Sequence, residues 1–458
     1  MKKKLISLLM TVAMAGSVLM GSSIVSAAEN AETETEAAAE ETEESADEST
    51  GGGTSDSLED VSEPVTLSLM VTTRPSTDAK DFYLDWLPEL VHERFPNITI
   101  EVEQLPTDQY KQTVRLRFAS GEGPDLFTWW AKKQAEDLVQ AEYVRDLSDF
   151  SLLDKFDASI TSAYTFDDKV YGLPLGTSFL TTWYNKDMFA EVGYDTYPTN
   201  WDEFIYVCQK LKDAGYTPIT CGDNSSFVIQ FAMYQIGASE IYAENPDFDN
   251  QLYTGETKFT DECWVDTVSK LQYLYDNGYV VEDSLGLSQD QSRQLFIDGE
   301  AAMIFDGSFG YTQLMNEGAA DFERGMFCVP SNAEGEDFVY NWTSANALFT
   351  SNLSDELHQQ ACDLVMQYWF DESSPLFEAW VENTTDIIAF EGVSDSREMI
   401  NEYLDRYKDF QNIDNLNNAW PEGVSDEMCS RFQEVITGDA TAEDVCEAMQ
   451  AKFEELAG

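Results

Sequence analysis

Between Val65 and Trp129 the apolar period of the chain changes four times. Val65, Leu67, Leu69 and Val71 alternate, as do Ile98, Ile100 and Val102, and a period of two is that of a half-buried strand. The stretch between them, AKDFYLDWLPELVHERF, puts Phe82, Trp86, Leu90 and Val91 on one side of a helix, with a kink expected at Pro88. Residues 108–120 read as a second helix and Pro124 to Trp129 as a third strand. Strand and helix in strict alternation predict a mostly parallel sheet covered by helices. Such sheets place ligands beyond the carboxyl ends of their strands. TTRP (72–75) and the Trp129-Trp130 pair fall at two of those ends.

The rest of the chain is of the same kind. Trp201 to Gly215 reads as a helix capped by Thr199 or Asn200, with Asp202 or Glu203 three residues on. Asp261 to Asn277 and Ser354 to Phe370 are further helices, and the C-terminal region is largely helical. About 400 residues of globular composition are too many for one ordinary core and enough for two lobes.

The N-terminus predicts export. A basic MKKK, an apolar run from Leu5 to Met20 and the small residues Val25-Ser26-Ala27 make a signal peptide over residues 1–27. Leu19-Met20-Gly21-Ser22 is similar to a lipoprotein box with serine in place of the acylated cysteine. Residues 28–62 follow as a disordered spacer: Ala28 to Asp60 holds thirteen acidic residues and no basic or aromatic one, too little apolar surface to order it. The full chain carries a net charge of −60, which argues against nucleic acid and anionic lipid as partners.

Catalytic signatures are missing. The two histidines, His92 and His358, sit in helical stretches with no triad or metal set nearby. The chain has no G-x-S-x-G elbow, phosphate loop or dinucleotide fingerprint. Seven cysteines show no metal spacing, and Cys208 and Cys362 lie in apolar helical patterns. No cofactor is expected. Among 86 Asp and Glu residues some pair falls at glycosidase separation by chance, so a secreted carbohydrate-active enzyme is the competing class. Trp129, Trp130, Phe227, Phe309, Trp342 and Trp420 sit beside Gly, Ser, Asn or Pro or at strand ends. Aromatics among amides and hydroxyls suit a sugar, with its apolar C–H face and hydroxyl rim.

Four stretches, in order, resemble the extracellular solute-binding proteins of ABC importers, the branch that includes maltose-binding protein. They are GEGPDLFTWWA (121–131), YGLPLGTSFLTTWYNKDMFAEVGYDTYPTNWDEF (171–204), FIDGEAAMIFDGSFG (296–310) and FVYNWTSANALFTSNLSDELHQQACDLVMQYW (338–369). The resemblance implies a two-lobed α/β fold, each lobe a mostly parallel sheet covered by helices, joined by hinge strands. It places 63–176 and 306–342 in the first lobe, and 177–305 and 343–458 in the second. By the same resemblance Trp129 falls where a family tryptophan stacks on sugar, and Phe227 and Phe309 match further aromatics of the site. Thr177 and Ser178 occupy the first crossing, and Lys132 and Lys133 replace a charged pair of the family. Asp306 and Ser308 are expected polar contacts. Trp130, Trp342, Trp420 and Arg74 are expected at the site from position. The implied function is a monomeric, extracellular, cell-surface carrier of a sugar or short oligosaccharide, partnered by ABC permease subunits. A receptor that presents ligand to a sensor kinase shares the same fold.

Overall fold

The computed structural model describes residues 58–73, 80–316 and 321–457. The expected signal segment, the acidic stretch up to residue 57 and Arg74 lie outside them.

Two sheets organise the chain. In the first, Val65–Thr72 runs between Ile98–Leu105 and Leu126–Trp129, parallel to both. The alternating strands and helices expected from the sequence build this half. Phe82–Trp86 forms a π-helical turn that runs directly into the helix Leu87–Arg94, and the change of winding falls beside Pro88, which has no N–H to continue the ladder. Thr107–Ser120 leads into the third strand and ends at Gly121, whose φ of 77° suits a residue without a Cβ. Ala347–Thr350 and then Gly172–Pro174 complete the sheet in antiparallel pairing.

The second sheet has the order Arg324–Phe327, Leu180–Asn185, Ala301–Gly307, Thr217–Thr220. Only Thr217–Thr220 pairs in parallel. Both sheets are therefore mixed: parallel pairs belong to the alternating strand and helix units, and antiparallel pairs arise where the chain arrives from the other lobe or turns back on itself. Leu180–Asn185 and Ala301–Gly307 are buried at every residue, as strands covered on both faces are. Among the described residues no helix is long and apolar enough to cross a membrane.

Among the described residues, three crossings join the lobes. Thr177–Ser178 pairs antiparallel with Thr343–Ser344. Ile387 joins them by exchanging backbone hydrogen bonds with Thr177 at 2.7 and 2.9 Å. Beyond it Glu398–Tyr407 packs Ile400 and Tyr403 against Trp183 and Ile304 of the second lobe.

These crossings correct the expected boundaries. Residues 306–342 stay in the second lobe, because Ala301–Gly307 and Arg324–Phe327 both bond to Leu180–Asn185. A strand inside a lobe and a strand between lobes share one apolar pattern, which is why FIDGEAAMIFDGSFG reads as a crossing. Residues 343–458 divide. Glu356–Trp369 and Pro375–Asn383 bury Trp369 and Trp380 in the core that holds Leu67 and Leu69. Val424–Thr437 and Ala442–Ala457 bury Phe432 and Phe453 in the core of the second lobe. The spacer ends earlier than residue 62. Val61 is buried and the Asp60 carboxylate accepts the Asn97 N–H at 2.8 Å, so this end of the acidic segment is docked on the first lobe.

Candidate functional site

A cleft of about 830 Å³ opens between the lobes beside the paired hinge strands and takes residues from both. On the first-lobe side, Lys111 and Arg115 are four residues apart on the helix Thr107–Ser120 and so share a face. Trp130 follows the strand Leu126–Trp129, and the Lys111 ammonium lies 4.7 Å from its ring centroid. Arg115 donates to Asp137 of its own lobe at 2.9 Å and to Glu422 of the second lobe at 2.6 Å.

The second-lobe side carries three phenylalanines in a row. Phe227 stands in the turn before the helix Ile229–Tyr242, and Phe231 one turn further along. Their ring centroids are 6.0 Å apart, and Phe231 is 5.5 Å from Phe309. Phe309 holds its place because its ring folds back on the preceding strand end: a Cβ on Gly307 would meet that ring at 2.2 Å. Gln230, Asn346, Asn415 and Asn417 add amides to the lining, and Ser178, Ser225 and Thr343 add hydroxyls.

Behind Phe309 lies an ion pair. Arg293 donates to both oxygens of Asp306 at 2.7 and 2.8 Å and to Gln313 at 2.8 Å. Burial disfavours the guanidinium charge, but the attraction and hydrogen bonds of Asp306 outweigh it and raise the Arg293 pKa. The same carboxylate accepts the Gly307 N–H at 2.8 Å, which fixes the turn that presents Phe309.

Of the residues expected from the sequence, Trp130, Ser178, Phe227 and Phe309 line this cleft. Thr177 is buried in the hinge, bonded to Ile387. The other expected residues that are described are not in the cleft wall. Trp129 has no exposed surface and donates its indole N–H to the Gln134 carbonyl at 2.7 Å. Asp306 is wholly buried beneath the wall, and the Ser308 hydroxyl accepts the Phe179 N–H at 3.2 Å. Trp342 stacks on Phe179, centroids 6.2 Å apart. Trp420 lies in the second-lobe core, its indole N–H on Asp249 at 2.9 Å. Lys132 pairs with Asp414 of the second lobe, and Lys133 with Glu136.

The sequence reading missed Lys111, Arg115, Phe231, Tyr234 and Arg293, and named only Trp420 in the 415–426 segment, where Asn415, Asn417 and Glu422 line the cleft instead. Only Phe231 left a signal, its spacing of four from Phe227. Among the described residues no group of three or more His, Cys, Asp or Glu is placed to hold a metal ion.

The model of the family "bacterial extracellular solute-binding protein" matches residues 83–350, more than half of the chain. A binding protein of Brucella abortus is 23% identical over 302 residues, which are 62% of this chain and 68% of the relative. The multiple sugar-binding protein of Streptococcus mutans is 21% identical over 52% of this chain and 57% of its own length. Among solved structures, a chitin oligosaccharide binding protein superimposes with a TM-score of 0.76 at 22% identity, over 86% of this chain and 99% of its own. That likeness establishes the two-lobed fold expected from the sequence. With most of both lobes matched and a cleft between them, the chain belongs to the bacterial extracellular solute-binding proteins.

Proposed function

We propose that this protein is the exported binding component of an ABC importer and that its ligand is a sugar or short oligosaccharide held between the lobes. The observation that carries this reading is the cleft wall itself, three phenylalanine rings and Trp130 set among amides and hydroxyls. A pyranose stacks its C–H face on such rings and bonds its hydroxyl rim to such groups. The names of the Streptococcus mutans relative and of the chitin oligosaccharide binding protein support the same ligand class. Contacts from both lobes favour the closed form when ligand is present, and the closed form docks on the permease subunits. The protein acts as a monomer and as a carrier, not an enzyme, so the ligand leaves unchanged. Its signal segment exports it to the cell surface.

Isothermal titration against neutral mono- and oligosaccharides, amino acids, peptides and polyamines tests the proposal. Saturable binding of a saccharide is the expected result. Binding confined to another class, or to none, would sink the sugar reading.

A further inference from the structure

The cleft contains three cations among the described residues, and each already has a carboxylate. Arg293 is clamped by Asp306 at 2.7 and 2.8 Å. Arg115 bonds Asp137 and Glu422 at 2.9 and 2.6 Å, and Lys111 lies 3.8 Å from Glu422. Further carboxylates line the same space, those of Asp290, Asp386 and Asp426. An anionic ligand entering here leaves water without gaining an unengaged cation and meets further negative charge, which is costly in a partly desolvated site.

Neutral polar groups in the same wall are left unfinished. Tyr234 lies one turn beyond Phe231 on the helix Ile229–Tyr242 and lines the cleft floor. Its hydroxyl is fully buried, and the Ser425 side chain beside it is too poorly placed for a well-formed hydrogen bond. Burial, with the Cys429 and Asp426 side chains near, raises its pKa far above the usual tyrosine value, so it stays a neutral donor. Asn415 lines the cleft as well, and its Oδ1 is buried without a hydrogen-bond partner. A buried donor and a buried acceptor left open destabilise the free protein. A ligand hydroxyl, which both donates and accepts, satisfies either one.

We propose that the cleft selects an uncharged polyhydroxy ligand over uronate- or phosphate-bearing sugars of the same size, with the Tyr234 hydroxyl and the Asn415 amide oxygen reading its hydroxyls. This rests on the sugar reading and narrows it. Tyr234→Phe retains the ring, which meets Trp420 edge-on at a centroid distance of 5.9 Å, and removes only the unsatisfied hydroxyl. The free variant then unfolds at the same temperature as the parent or above it, because an unpaired buried group has gone.

The test titrates raffinose, maltotriose and tri-N-acetylchitotriose, with trigalacturonate as the anionic probe, into the parent, Tyr234→Phe and Asn415→Ala proteins. The parent is expected to bind at least one neutral trisaccharide and to bind trigalacturonate at least about a hundredfold more weakly. Each variant should lose about fivefold to tenfold in affinity for that neutral sugar. Unchanged affinity in both variants, or trigalacturonate bound as tightly as the neutral sugar, overturns the proposal and leaves the sugar reading standing. Binding of no sugar by the parent overturns both. If Tyr234→Phe does not fold, its account as a dispensable hydroxyl fails, and Asn415→Ala alone decides whether the cleft reads hydroxyls there.

Discussion

Trp129 and Trp130 are adjacent in sequence and have opposite roles in this structure, so truncating each to alanine separates packing from binding. Trp129 has no exposed surface, packs against Tyr110 and Phe127 and donates to the Gln134 carbonyl at 2.7 Å. Removing a buried tryptophan costs about 3–5 kcal/mol, and the carbonyl left without its donor adds about 1 kcal/mol. That is a large share of the stability of a typical domain. Trp130 is half-buried, lines the cleft and holds the Lys111 ammonium near its face. Losing it removes a stacking surface worth about 1 kcal/mol beyond area burial, and about tenfold in affinity for each 1.4 kcal/mol. Urea unfolding monitored by circular dichroism, paired with titration of the best-bound neutral sugar, reads both effects. Trp129→Ala should lower the unfolding midpoint strongly, and Trp130→Ala should leave it nearly in place while weakening binding. If Trp129→Ala keeps the parent midpoint and loses the ligand, Trp129 contacts sugar and its burial has been misjudged.

Gly307→Ala should weaken sugar binding with little loss of secondary structure, because its Cβ would sit 2.2 Å from the Phe309 ring and push that ring from its place; titration of the variant showing parent affinity would refute this. Glu422→Gln removes the partner of Arg115 across the cleft. The closed form should lose about 1 kcal/mol or less, seen as a severalfold drop in affinity at low salt that shrinks as salt rises. Burial pushes the Asp249 carboxyl up to about 6, partly offset by bonds from Trp420 and Tyr242. Its folded pKa exceeds the unfolded value of 3.8, so the folded form keeps a proton that the unfolded chain has lost between those values. Stability from this group is therefore present below pH 4 and lost as pH rises through 6, by about 3 kcal/mol. Asp249→Asn should flatten that part of the thermal-midpoint profile, and an unchanged profile would contradict the assignment.

Local rules read from the sequence carried over where local physics decides. The strands Val65–Thr72 and Ile98–Leu105 begin where the two-residue period begins, and Asn200 caps its helix through the Glu203 N–H at 3.0 Å. The lobe boundaries were less legible, because a strand's apolar pattern shows that it is covered and not which sheet covers it. Ala301–Gly307 is the case in point. The aromatic residues failed in a similar way. Trp129 is the last residue of its strand and Trp130 lies past it, so Trp129 went to the core and Trp130 to the cleft although their sequence neighbours are alike. The position of Trp420 and the small polar residues around it point to the site, yet its indole N–H is held by Asp249, which lies 171 residues away in the chain. Arg293 gave no local sign at all, since its partner Asp306 is thirteen residues on and in another element.

A ligand held by both lobes at once protects both from solvent, and hydrogen–deuterium exchange measured by mass spectrometry reads that protection segment by segment. With the best-bound sugar at saturation, peptides covering 106–115 of the first lobe and 225–234, 307–313 and 415–426 of the second should gain protection together. Protection confined to one lobe, or falling away from these segments while the sugar is bound, would contradict the account.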